Sequence, residues 1–328
     1  MSWKETPLPS IGSDSVDSGG AGTLRSERVR IIQRRVLRWY EEHGRPLPWR
    51  RTRNPYRILL SEVMLQQTQV SRILLAYPAF LKRFPTLASL ARARQREVVV
   101  AWRGLGYNSR AVRLYRLAHT VLAKYRGNLP RSYDELIRLP GVGPNTARAL
   151  LCFAFGVSTH IMEVNVRRVL TRMAWSVRHI DAVRPPRDVE KVAASMLPRH
   201  LAFDWNQGLM DLGATVCTLR SPRCGICPIG PLCASYRQIG TRRIRAPQKG
   251  PTIAGMPVRL CRGRVLERLR DIPRGRWCPV KRLEGACHPG RRNADSPLME
   301  RVLTGLERDG LIMLRRGEDH RNRFARLA

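Results

Sequence analysis

An all-α body closed by a four-cysteine loop, with a small winged-helix-like domain behind it, is the architecture this sequence predicts, on three observations. Apolar residues recur at helical spacing from residue 28 to residue 214, with no alternating strand pattern among them. The run CTLRSPRCGICPIGPLC then spaces Cys217, Cys224, Cys227 and Cys233 as C-x6-C-x2-C-x5-C. Beyond it, two amphipathic runs lead into a short apolar strand and a charged loop.

Residues 1–26 are rich in Ser, Gly and Pro and lack apolar periodicity, which predicts a disordered arm. Val29, Ile32, Val36, Leu37 and Tyr40 then share one helical face. Helices are expected over 55–68, 71–83, 86–92, 95–102, 108–125, 131–138, 144–155, 163–175, 187–197 and 203–214, so the body spans 27–236. A basic linker, 237–253, precedes a domain at 254–328. There Val258, Leu260, Val265, Leu266 and Leu269 mark one helix, and Leu298, Val302, Leu303 and Leu306 another. A turn at Asp309 and Gly310 feeds a strand at 311–314 and the hairpin tip RRGEDHRNR.

The chain of 328 residues carries 60 Lys and Arg against 25 Asp and Glu, a formal charge of +35. Arginine-biased codon usage explains the preference over lysine but not the shortage of acids. Such an excess strains a compact fold unless a polyanion is near, so nucleic acid is the expected partner. From residue 241 onward, 22 basic side chains face nine acidic ones, which extends that expectation to the terminal domain.

Four thiolates in one short loop repel one another unless a cation neutralises them. Zinc sites pair two short knuckles, whereas only Cys224 and Cys227 form one here. The wider gaps suit a larger inorganic core, so a [4Fe-4S] cluster is favoured over zinc, and both over a disulfide pair. Cys152, Cys261, Cys278 and Cys287 show no comparable spacing and read as free thiols. With no signal peptide and no apolar run long enough to span a bilayer, a reducing cytosolic setting at the nucleoid is expected, with no membrane partner.

Three further features carry chemistry. In LPGVGPNTARALL, Gly141 and Gly143 flank Val142 between two helical runs, allowing a tight hairpin whose amides approach a phosphate without obstruction. An ordinary helix–helix turn is the plainer reading. Glu62 stands within the apolar run 58–65, where desolvation raises a carboxyl pKa toward that of a general acid. A glutamate on a polar helix face is the commoner case, but Gln66, Gln67, Thr68 and Gln69 beside it suit hydrogen bonding to bases or insertion into a duplex. Glu163 sits just before a helix start, where a carboxylate caps amides and favours the macrodipole; its functional reading is an ionised partner for cationic charge.

These pieces, with the strings LPWR, NPYRILLSEVMLQQTQV, WRGLGYNSRA, LPGVG, NVRRVL and NQGLMDLGATVC, resemble the helix-hairpin-helix DNA glycosylases of the endonuclease III superfamily. Within it they are most similar to the MutY-type adenine-specific mismatch glycosylases, over residues 27–236. The resemblance implies a two-lobed fold, with a six-helix lobe over about 51–163 and a cluster lobe over about 27–50 and 164–236. It implies a monomer that flips a mismatched adenine out of double-stranded DNA and hydrolyses its N-glycosidic bond, the adenine lying opposite 8-oxoguanine or guanine. Glu62 then protonates the departing base and Glu163 steadies the oxocarbenium-like sugar. Arg45, Trp49, Arg50, Gln66 and Val70 line the base pocket, Gln67 and Tyr107 enter the base stack, and Arg220 and Arg223 meet the backbone. The cluster is structural in that reading.

Three departures follow. Glu163 stands where these enzymes usually have aspartate. Asn145 replaces the lysine of bifunctional relatives, which implies excision without strand cleavage. The terminal domain is too short for the module that many adenine glycosylases use to read 8-oxoguanine, which keeps a thymine or uracil glycosylase of T:G or U:G mismatches as the alternative. A cluster-containing DNA-binding protein without activity is the remaining one.

Overall fold

A computed structural model describes residues 26–177, 185–238, 252–253, 256–285, 297–317 and 323–328. The predicted arm and most of the predicted linker lie outside these. The order is α1 (Ser26–His43), a 3-10 turn (Pro48–Arg50), α2 (Pro55–Leu65), α3 (Val70–Arg83), α4 (Leu87–Arg92), α5 (Gln95–Ala101), α6 (Ser109–Tyr125), α7 (Tyr133–Ile137), α8 (Pro144–Phe153), α9 (Val164–Ala174), α10 (Pro186–Ser195) and α11 (Ala202–Thr215). No strand interrupts them among the described residues. None of the described helices is long and apolar enough to cross a membrane.

The chain divides into two compact units. One comprises Met1–Gly44, Met162–Pro198 and Asp204–Ile244; the other comprises Arg45–Ile161, Arg199–Phe203 and Arg245–Ala328. In the first, Ile32 and Val36 of α1 pack with Val166 and Leu170 of α9, Val189 and Val192 of α10, and Trp205, Leu209 and Leu212 of α11. Gly208 lets α11 approach α1 closely, since a Cβ there would stand 3.2 Å from both Tyr40 and Val36.

In the second unit α2 is buried on nearly every side through Tyr56, Ile58, Leu59, Leu60, Val63 and Met64. Asn54 starts it by accepting from the Arg57 amide at 3.1 Å, and Pro55 occupies the first turn, where no amide partner is needed. Thr86 and Ser89 form a capping box that starts α4. Trp102, fully buried, meets Phe80 edge-on at 5.7 Å.

The C-terminal part runs α12 (Val258–Arg270), β3 (Cys278–Pro279), α13 (Val280–Glu284), α14 (Pro297–Arg308), β4 (Ile312–Arg316) and β5 (Arg323–Leu327), after a two-residue antiparallel pair β1 (Thr252–Ile253) and β2 (Met256–Pro257). The sheet is antiparallel in the order β3-β5-β4. Helix, strand, two helices and a hairpin is the winged-helix succession. It packs within the same unit as α2–α8. Arg270, 7% exposed, donates to the Val99 carbonyl and to Asn108 Oδ1 at 2.8 Å, while Arg103 pairs with Asp271 at 2.6 Å and Glu267 at 2.9 Å.

Two expectations need correction. The helix predicted over 55–68 ends at Leu65, because its last carbonyls are taken by a side chain from α6, described below. Cys261 is disulfide-bonded rather than free, which its spacing in the sequence does not signal, and Cys287 lies outside the described residues.

Candidate active site and cysteine loop

α2 packs against the 3-10 turn, α3, α6 and α8, and so gathers most of the nominated residues of its unit. Glu62 is half-buried on it. Trp49 is 6% exposed and lies edge-on to Tyr77 at 5.5 Å, which makes it a wall of the turn; Arg50 Nη1 donates to the Arg45 carbonyl at 3.0 Å and fixes that turn's shape. Arg45 and Val70, the latter opening α3, are half-buried. Gln66 Nε2 donates to Thr146 Oγ1 at 3.4 Å, tying the end of α2 to α8, whose first turn carries the exposed Asn145.

Arg110 of α6 organises this region and was not among the nominated residues. Its guanidinium donates to the carbonyls of Val63, Met64 and Gln66 at 2.7–2.8 Å, to those of Leu105 and Gly106 at 3.0–3.1 Å, and to Thr68 Oγ1 at 2.9 Å. Burial lowers its pKa to about 10, which still leaves it charged at neutral pH. The backbone beside these carbonyls is strained: Gln67 has φ 56° and Tyr107 φ 43°. Both nominated intercalators are therefore exposed on turns that one arginine holds. The sequence signal was available, since Arg110 continues the buried stripe Leu114, Leu117 and Val121.

In the hairpin the Val142 amide donates to the Leu139 carbonyl at 3.1 Å, and Val142 is buried as its anchor. Gly141 has φ 82°, and a Cβ there would come 3.0 Å from Arg113 Cβ. Gly143 differs. It is extended, at φ −97° and ψ 177°, it caps α8, and a Cβ there would meet nothing within 4 Å. Nothing inside the protein requires glycine at 143. The open space lies beside the N-terminus of α8, where an anion is favoured.

In the other unit Glu163 caps α9, Oε1 accepting from the Val166 amide at 3.0 Å and Oε2 from Asn165 Nδ2 at 3.2 Å. Burial raises its pKa above the usual 4.5, and these hydrogen bonds oppose the rise. Arg168 continues the chain of contacts, donating to Asn165 Oδ1 at 2.7 Å, the Gly213 carbonyl at 2.7 Å and the Cys217 carbonyl at 2.9 Å. Gly213 is required there, because a Cβ would stand 2.7 Å from Asn165 Cβ.

Arg172 then fixes the cysteine loop, donating to the carbonyls of Thr218 and Leu219 at 2.7 and 2.9 Å, with Cys217 Sγ at 3.5 Å. Burial pushes the Cys227 thiol up to about 12 and Cys233 to about 11, and in each case the neighbouring cysteines add to the rise. The four sulfurs thus sense one another electrostatically, while the amides of Ile229 and Ser235 favour the thiolates of Cys227 and Cys233. No group of three or more His, Cys, Asp or Glu side chains among the described residues is drawn into metal-binding geometry. The donor set is nonetheless that of a soft cation with four thiolates. Arg220 is exposed on this loop; Arg223, also exposed, is bound to the Thr215 carbonyl.

Residues 60–198 match the family described as HhH-GPD superfamily base excision DNA repair protein. An adenine DNA glycosylase of Mycolicibacterium smegmatis is 43% identical over 237 residues, covering 72% of this chain and 79% of the relative. The human adenine DNA glycosylase is 37% identical over 220 residues, 64% of this chain and 40% of its own. Among solved structures, a thermostable thymine-DNA glycosylase superposes with a TM-score of 0.60 at 29% identity, covering 64% of this chain and 97% of that one.

Proposed function

The chain belongs to the HhH-GPD superfamily of base excision DNA repair proteins, and we propose on that premise that it is an adenine DNA glycosylase acting on A opposite 8-oxoguanine or guanine. The carrying observation is the 43% identity to an adenine DNA glycosylase over most of both chains. The exposed, arginine-held pair Gln67 and Tyr107 adds physical support, since strained turns persist where function needs them.

In this reading the hairpin and the start of α8 hold the DNA backbone, and Gln67 and Tyr107 replace the stacking of the extruded adenine. Glu62 gives its proton to the departing base as the C1′–N bond breaks, and the bonding pair leaves with adenine. Glu163, ionised, offsets the positive charge left on the sugar. Water then adds to C1′ and its proton returns to Glu62. Asn145 offers no amine for a Schiff base, so the product keeps an intact strand bearing an abasic site.

Cys217, Cys224, Cys227 and Cys233 would hold a [4Fe-4S] cluster, which supplies a compact charge centre that orders residues 217–233 without an electron-transfer step in hydrolysis. Arg220 then faces the DNA, while Arg223 acts mainly within the loop.

Duplexes carrying A:8-oxoguanine, A:G, T:G and U:G, treated with alkali after incubation, test the assignment. Cleavage at adenine alone supports it. Cleavage at thymine or uracil alone overturns it in favour of the pyrimidine reading.

A further inference from the structure

A cavity of about 310 Å³ opens where the C-terminal sheet meets the start of α5, and its charged side chains are Arg94, Arg96, Arg274, Arg276 and Arg326. No Asp or Glu lines it. Arg96 is bound to the Ile272 carbonyl, but among the described residues none of the five makes an ion pair there. Five guanidinium groups around one cavity, with no Asp or Glu among its lining residues, repel each other.

The cavity is also built rather than accidental. Arg274 and Arg276 flank Gly275, whose φ of 80° permits the turn closed by the Arg276 amide on the Pro273 carbonyl at 3.2 Å. The next residue, Trp277, carries two guanidinium groups on its indole, Arg326 at 4.6 Å and Arg315 at 4.5 Å. Cross-strand pairing of Met313 with Arg326 and Arg315 with Phe324 places them all on one sheet face.

The third helix, which a winged helix would be expected to offer to DNA, is a poorer candidate. α14 carries Glu300 and Glu307 beside Arg301 and Arg308. Glu300 pairs with Arg323, and Glu307 accepts the Leu314 amide at 2.9 Å.

The cavity lies in the same compact unit as the hairpin. A Cβ on Gly141 of the hairpin would touch Arg113, and one on Gly310 would touch Arg116 and Val112. Arg113 and Arg116 are one turn apart on α6, about 5 Å along its axis. Gln95, which lines the cavity, donates to the Gly310 carbonyl at 2.7 Å. The hairpin, the Gly310 turn and the cavity therefore follow one another along a single unit.

We propose that this arginine cavity and the adjoining Trp277 sheet face form a second, sequence-independent contact to the phosphodiester backbone of duplex DNA, extending the footprint beyond the hairpin. The inference rests on DNA being the substrate, not on which base is removed.

The test is binding of an undamaged duplex by the full chain, measured by fluorescence anisotropy across a range of salt. Relative to wild type, Arg274→Ser/Arg276→Ser/Arg326→Ser should bind about tenfold more weakly at 0.15 M salt, with a log–log salt slope shallower by about 2 to 3. The Arg→Lys triple variant should keep most of that slope. The single variant Arg274→Ala, at an exposed turn, should lose about one unit of slope with unchanged melting, which separates contact from misfolding. Wild-type slope in both Arg274→Ala and the triple variant overturns the proposal. So does an unchanged slope on DNA accompanied by lost binding of polyglutamate, which would make the partner an acidic peptide. No excision is measured, so failure of the adenine assignment leaves this result readable.

Discussion

Arg110 Nη1 of α6 donates to the Gln66 carbonyl at 2.7 Å, and Gln66 is the C-cap residue at which α2 ends. The same guanidinium holds the carbonyls of Leu105 and Gly106, just before Tyr107. Replacing it with leucine leaves several buried acceptors without donors, each worth about 1–3 kcal/mol. Arg110→Leu should lose at least about 3 kcal/mol in urea unfolding. Arg110→Lys, unable to fork between both turns, should retain more stability yet excise slowly. Wild-type excision by Arg110→Lys would remove the arginine from any role in setting Gln67 and Tyr107.

Glu163 gives excision a pH dependence. Glu163 is raised above 4.5 by burial, so the ionised form needed for excision is lost at a higher pH than for an ordinary glutamate. The rate should fall on the acid side from above that value, and Glu163→Gln should abolish the rate at every pH. Stability runs the other way: a raised folded pKa contributes stability that is full below 4.5 and lost as pH rises through the folded value. Glu163→Gln should therefore melt no lower than wild type at neutral pH, with any advantage gone in acid. Glu62→Gln should also stop excision while duplex binding persists.

The hairpin glycines give opposite expectations. Gly141→Ala forces a side chain into φ 82° against Arg113 and should cost about 1–2 kcal/mol of stability. Gly143→Ala meets nothing inside the protein and should melt like wild type, but its methyl stands where a phosphate would approach, so DNA binding should weaken. Equal DNA affinity for Gly143→Ala and wild type would return this segment to an ordinary turn.

What was legible followed from local pattern. Capping residues and apolar stripes placed the helices within a few residues, and the spacing of the four cysteines marked their loop. What was hidden depended on residues distant in sequence. Arg270 reads as one more cation in a basic tail, yet it is buried against Val99 and Asn108, where burial lowers its pKa. β3 is two residues long, too short for a period of two, and exists because β5 pairs with it. Arg168 stood inside a recognised string, but its bonds to the Gly213 and Cys217 carbonyls appear only when α9 packs against α11 and the segment after it.

The cysteine loop yields the last prediction. With burial and mutual repulsion holding Cys227 near 12 and Cys233 near 11, both are neutral thiols at physiological pH unless a cation binds. Cys227→Ser should therefore abolish iron incorporation and visible absorbance together. It should also lower the melting temperature, because Arg172 and Arg168 tie the same loop to α9, whose Val166, Leu170 and Met173 belong to the core of that unit. Zinc in place of iron in the purified protein would overturn the cluster assignment. Full stability of Cys227→Ser would show that the arginine contacts alone hold the loop.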